Sequence, residues 1–499
     1  MTYLRPGVYV EETLNAIAPV VGAASTSVAA FVGTIDRGPV TPTLVTSWSQ
    51  YTSLFGSWGT NNDVTTAVYL FFANGGSQCY IRRVVSSTAA AATRTLNDTN
   101  STPAATLAIA AKNPGTWGNS VYVAVDESTV TGYVNITVFY GGTTQAYAVE
   151  RFPDVTMLTT DPRYAVAIIN ATSKYVTATD SSAGDSHSAL DNPATTGGTP
   201  LALSSGSNGT SVTTANIVAG VTAFDTVNSS LILNAPGVTG ATDVNALITY
   251  AEGRGDVFVV IDALNDTVSA QITRAAQYSS SSYAANYYPN LTIPSPTSTA
   301  SGATVTAPCG AAVIGRMVST DASRGVFKAP AGMDARLSGV VSVAALTNSE
   351  LDDLNQGDPA PVNAIRYIPG SGIVVMGART LKPGYADRYI PVRRSLIYLR
   401  KALTDLTSFA VFEPNDFRLW SQITSALEAF LTDFWQQGGL RGLAPADAYF
   451  VKCDSENNPT ESIDQGEVNI EVGVALQRPA EFVVIRISQY DSGAVVTVS

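Results

Sequence analysis

VRRSLIYLRKALTDLTSFAVFEPNDFRLWSQITSALEAFLTDFWQQGG, residues 392–439, sets two amphipathic helices end to end with a short interruption. Val392, Leu396, Leu399, Leu403, Leu406 and Ala410 recur at steps of four and three, so a helix turning about 100° per residue gathers them into one apolar stripe. Arg393 and Arg400 fall on its flank, with Arg394 and Lys401 further round, which predicts a basic ridge beside a buried seam. Glu413-Pro414-Asn415 restarts the backbone. Trp420, Ile423, Leu427, Phe430, Leu431 and Phe434 form a second stripe, and Gly438-Gly439 stops it. Upstream, GIVVMGARTL at 372–381 reads as a buried strand leaving a tight bend.

Outward from this stretch, the chain reads as insertions nested in one domain. Residues 1–20 predict an extended arm, and 26–85 an α/β segment. Residues 106–176 are β-rich, with VYVAV at 121–125 and YVNITVFY at 133–140 as strands between turn residues. A Ser/Thr/Gly-rich loop follows, and then strands such as LILNAPG and DVFVVID alternate with helices, predicting a sheet covered by helices. Near the end, Val468, Ile470, Val472, Val474 and Leu476 share one strand face.

At 499 residues and 45% hydrophobic content, the chain can bury several cores and predicts two to four domains. Only 14% of residues are charged, which favours surfaces packed against other protein. A net charge of −12 argues against a dedicated nucleic-acid binder, since phosphate affinity comes from clustered cations. The charge is uneven: 366–401 holds eight bases against Asp387, and 447–471 holds seven acids against Lys452. These blocks read either as solvated faces or, in a repeating assembly, as complementary surfaces of neighbouring copies.

Catalytic signatures are missing. His187 is the one histidine and sits in a polar loop, so triad chemistry has no local pattern. Gly-rich SGSNG at 205–209 lacks the Lys-Ser/Thr ending of a phosphate loop. Arg254-Gly255-Asp256 reads as a chance match to an adhesion tripeptide, and Asp352-Asp353 as helix residues rather than a glycosidase pair. Cys79, Cys309 and Cys453 suggest neither a disulfide framework nor a zinc site. No catalytic residue, metal or cofactor is expected. The first residues lack the pattern of a signal peptide and no run is long enough to span a bilayer, so a soluble product of a reducing cytoplasm is expected.

FEPND followed by Trp420, then GGLRG, AYFVKCD and ENNP, resembles the C-terminal domain of contractile tail sheath proteins of myophages and related injection machines. PGVYVEE at 6–12, NPGTWGN at 113–119, AEGRGDVFVVID at 251–262, SSYAANYYPN at 281–290, TDASRGVFKAPAG at 320–332 and GART at 377–380 continue the likeness in order. The resemblance implies a multidomain mixed α/β (α+β) fold: an N-terminal arm (1–20), a middle α/β domain in two parts (21–103 and 179–319), a β-rich outer domain (104–178), an inner C-terminal sheath domain (320–488) and a C-terminal arm (489–499). It further implies a structural subunit that polymerises as stacked, hexameric rings around a tail tube and contracts to drive the tube through a cell envelope, delivering a genome or an effector.

The partners implied are further copies of the chain, the tail tube protein, and baseplate and tail terminator proteins, without direct nucleic-acid contact or membrane insertion. The place implied is the virion tail, assembled in the bacterial host cytoplasm. Arms around Gly7, Val8, Tyr9, Val10 and Glu11, and around Val495, Val496 and Val498, would pair with sheet edges of neighbouring copies. Arg418, Gln422, Ser425, Glu428 and Thr432 are the expected tube-facing residues, with Arg393, Arg394, Arg400 and Lys401 as the competing face. A glycan-binding tail protein of the virion surface and a virion-associated hydrolase are the alternative classes.

Overall fold

A computed structural model describes residues 28–181, 191–197, 199–357, 360–384 and 387–481. Its centre is built from apolar runs buried along their whole length: Val28–Gly33, Leu231–Asn234, Val257–Ile261 and Ala284–Tyr288. Such runs need cover on both faces, which a parallel sheet with flanking helices supplies. Six strands run parallel in the spatial order Cys79–Arg83, Val28–Gly33, Leu231–Asn234, Val257–Ile261, Ala284–Tyr288 and Val362–Ile368. Antiparallel Thr43–Val45 and Gly372–Val375 close the two edges. Alternate side chains feed two cores. Phe31, Ile232, Phe258 and Val260 pack with residues of helices Asp63–Ala73 and Gly310–Arg324, whereas Val28, Leu233, Val257 and Val259 pack with residues of helix Ala241–Arg254.

Between Cys79–Arg83 and Leu231–Asn234 the chain leaves this sheet to form a β-sandwich with its own core, including Leu107, Ile109, Val123, Ile136 and Phe152. Its four-stranded sheet contains Val121–Glu127, Val134–Tyr140 and Ala148–Val155, and its three-stranded sheet contains Thr93–Asn97, Ala105–Ala111 and Val176–Asp180. The sandwich therefore reaches beyond the expected 104–178. Thr93–Asn97 and the two-residue strand Leu201–Ala202 are short edge strands whose sequences carry no clear alternation. Arg37, from the sheet side, places its guanidinium 5.0 Å from the ring centres of both Tyr140 and Tyr175 in the sandwich.

The inner domain is expected to start at 320. Residue 320 lies inside one continuous helix, Gly310–Arg324, which packs on the central sheet, and Val362–Ile368 and Gly372–Val375 are strands of that sheet. What stands apart is the region after residue 390. There helices Ile390–Thr407 and Phe417–Gln436 and the hairpin Tyr449–Lys452/Glu471–Val474 enclose two small cores around Leu431 and Phe434 and around Ile423 and Leu427.

Candidate assembly surface

The Ile390–Thr407 helix joins the two bodies. Ile390 and Ile397 enter the sheet core, while Leu399 belongs to the C-terminal core and Leu403 and Leu406 pack against its second cluster. Because this helix is covered from two directions, the single predicted stripe is too narrow, and its basic ridge is largely internal. Arg394 is buried and bidentate with Asp321 on the Gly310–Arg324 helix. Arg393 pairs with Asp387 at 3.2 Å and sits over the Tyr283 ring, and Lys401 reaches Asp405 at 3.0 Å and Asn228 at 2.9 Å. Of the four competing tube-facing residues, Arg400 alone is exposed. The wider basic block is engaged in the same way, Arg379 with Glu481 and Lys382 with Asp387.

The Phe417–Gln436 helix starts where Asp416 accepts from the amides of Arg418 and Leu419 at 2.8 and 3.1 Å, satisfying donors that the first helical turn leaves free. Leu419, Trp420, Ile423, Leu427, Leu431 and Phe434 are its buried side. Arg418, Gln422, Ser425 and Glu428 are exposed along the other side, whereas Thr432 bonds the Tyr449 hydroxyl at 2.6 Å. All seven acids of the 447–471 block are exposed, and only Glu456 among them has a described cation partner, Lys452. The C-terminal unit thus presents a charged helix face and an unneutralised acidic surface.

A feature that the helical stripes did not reveal lies between the two long helices. Val411 and Phe417 are largely exposed and Phe412 is wholly so. Phe412 takes φ +68°, a left-handed conformation that a bulky residue adopts at a cost of roughly 1–3 kcal/mol. The loop is fixed by Asn415, which donates to the Glu467 carbonyl at 2.9 Å and accepts from the Trp420 indole at 2.8 Å. The available sequence signal was that Val411 and Phe412 belong to neither apolar stripe.

The other expected residues are not brought together into a reactive site. The arm residues at 7–11 and 495–498, and His187, lie outside the described residues. Among the described residues no group of three or more His, Cys, Asp or Glu side chains is placed to hold a metal, and no helix is long and apolar enough to cross a membrane. All three cysteines are buried, and burial pushes the Cys79 and Cys309 thiols well up. Arg254-Gly255-Asp256 is structural: Arg254 pairs with Asp256 at 2.7 Å and donates to the carbonyls of Phe224, Val227 and Ser229, while Gly255 ends a helix at φ +73°.

Residues 386–489, which carry this surface, match the phage tail sheath C-terminal domain, and residues 86–208 match the phage tail sheath protein beta-sandwich domain. Both matched stretches are phage tail sheath domains, and together they cover a little under half of the chain. Over 181 residues the chain is 28% identical to the tail sheath protein of Vibrio phage KVP40, a match spanning 36% of the chain and only 26% of that relative. Its fold is similar to the sheath of an extracellular contractile injection system, PVC, in the contracted state, with 23% identity, 98% of each chain covered and a TM-score of 0.58. It is also similar to the contracted helical sheath of the anti-feeding prophage, with 24% identity, 97% and 99% covered and a TM-score of 0.59. A sheath tail protein from Listeria innocua aligns at 14% identity over 91% and 96%, with a TM-score of 0.62. The matched domains and the curated relative are all described as tail sheath proteins.

Proposed function

We propose that the chain is the repeating subunit of a contractile sheath. Copies stack as rings, hexameric in this reading, around a tail tube above a baseplate and below a terminator. They then shorten and widen so that the tube is driven through a target envelope, delivering a genome or an effector. The observation that supports this most is the pair of tail sheath domain matches, in sequence order, at two separate bodies of the fold. Contraction needs no nucleotide. A two-state exchange of interfaces suffices, and about 2 kcal/mol of differential contact energy per subunit, an ordinary coupling magnitude, sums over on the order of a hundred copies to a large free energy. The exposed side of the Phe417–Gln436 helix, Arg418, Gln422, Ser425 and Glu428, is the proposed tube face. The sandwich and the central sheet lie outside it.

Short β-prone arms at the two ends, around 7–11 and 495–498, pair with sheet edges of neighbouring copies in this reading, because backbone hydrogen bonds give affinity with little sequence demand. Deleting residues 1–12 or 491–499 is expected to leave a folded monomer that cannot polymerise, read by circular dichroism and sedimentation. Tubes of normal length from either truncation would contradict the arm assignment.

A further inference from the structure

We propose that Phe412 of one copy docks in the cavity bounded by Tyr389 and Arg478 of the next, joining identical chains head to tail. The inference rests on the reading of the chain as a self-assembling sheath subunit and names a contact within it. Phe412 is a wholly exposed aromatic on a pinned loop, with Val411 and Phe417 exposed beside it. Burying such a ring removes on the order of 200 Å² from water. The receiving cavity, about 380 Å³, has apolar walls that include Phe327, Ala331, Met376, Ala378 and Pro479. It is open and large enough for one aromatic side chain.

Position decides what can fill it. Phe412 precedes the first turn of the Phe417–Gln436 helix, whereas Phe327, on the cavity wall, packs edge-on against Phe434 near its last turn, ring centres 5.9 Å apart. The 17 steps from Phe417 to Phe434, at 1.5 Å each, put roughly 25 Å between the two ends, and Phe412 is wholly exposed, so no copy fills its own cavity. A knob and a hole on different faces make a heterologous contact, which propagates into rings or helical stacks instead of closing as a pair.

The charges agree. Around the knob lie exposed Glu413 and Glu467, whose carbonyl holds Asn415, against the single cation Arg418, 5.7 Å from the Phe417 ring centre; around the cavity lie Arg324, Lys328 and Arg478, none with an ion pair among the described residues, against the single acid Glu481, which is already paired with Arg379. Complementary rims orient the docking of an apolar centre.

The test joins the two sites covalently. In the full chain, Phe412→Cys with Met376→Cys is expected to give a ladder of disulfide-linked multimers when assembled tubes are oxidised, while Phe412→Cys alone gives none; the native cysteines are buried and do not compete. Phe412→Ala, at a solvent-exposed position, is expected to keep the monomer's melting temperature and to slow polymerisation at least tenfold. Tubes that form without a ladder, or a Phe412→Ala chain that polymerises at the normal rate, overturn this contact and leave the sheath reading standing. A Phe412→Cys chain that cross-links only to a co-assembled tube protein overturns it in favour of the tube as occupant. Failure of the unmodified chain to form tubes even with its tube protein overturns the sheath reading itself.

Discussion

Arg394 and Asp321 form a bidentate ion pair with side chains only 4% and 3% exposed, clamping the Ile390–Thr407 helix to the Gly310–Arg324 helix. Removing one partner of a buried pair strands the other charge, at about 3–5 kcal/mol, whereas replacing both by apolar residues of similar size is often neutral. Arg394→Ala is therefore expected to lower unfolding stability by about that amount in urea titration. Arg394→Met with Asp321→Leu should recover most of the loss.

Asp262 gives the native state a pH dependence of its own. It is fully buried at the end of Val257–Ile261, accepting from Gly310 N at 2.6 Å, Asn234 Nδ2 at 3.1 Å and Gly237 N at 3.3 Å. Burial, the larger effect, outweighs these bonds and pushes its carboxyl from 3.8 up to about 6. A carboxyl raised on folding favours the protonated native state, so its contribution is fully present below about pH 4 and is lost as pH rises through about 6. Between pH 4 and 7 the wild type should lose about 2 kcal/mol relative to Asp262→Asn, measured as the difference between their urea stabilities at each pH.

Arg37 fastens the sandwich to the sheet body. Besides facing Tyr140 and Tyr175, it donates to the Thr52 and Ser53 carbonyls at 3.1 and 3.3 Å. A guanidinium shared by two rings contributes about 1–2 kcal/mol. Arg37→Ala should leave both bodies folded yet speed protease cleavage in the connections near 86–90 and 207–212, with Arg37→Lys intermediate because an ammonium cannot match the planar fork.

The proposed tube face separates from its competitor by charge reversal. Arg418→Glu with Glu428→Lys should abolish co-sedimentation with tubes while sheath self-assembly persists. Arg400→Glu should leave tube binding unchanged, since Arg393, Arg394 and Lys401 beside it are already engaged within the chain.

Much of the fold was legible because its central strands are uninterrupted apolar runs and its two long helices have strict periodicity, as Trp420, Ile423, Leu427 and Phe434 illustrate. Strand boundaries were less so. Thr93–Asn97 gains its place as an edge strand from antiparallel pairing with the next strand, Ala105–Ala111, while its own sequence shows no alternation. The basic block between Arg366 and Lys401 misled for a similar reason: in sequence it meets one acid, but in space Asp321, Asp405 and Glu481 come to it. Phe412 escaped notice because exposure of an aromatic is a tertiary fact.

The most direct test of the central claim is negative-stain electron microscopy of the purified chain, alone and co-expressed with its tube protein. The account predicts hollow, ridged tubes of uniform width, wider and shorter after triggering than before. Particles that stay monomeric in both preparations would contradict it.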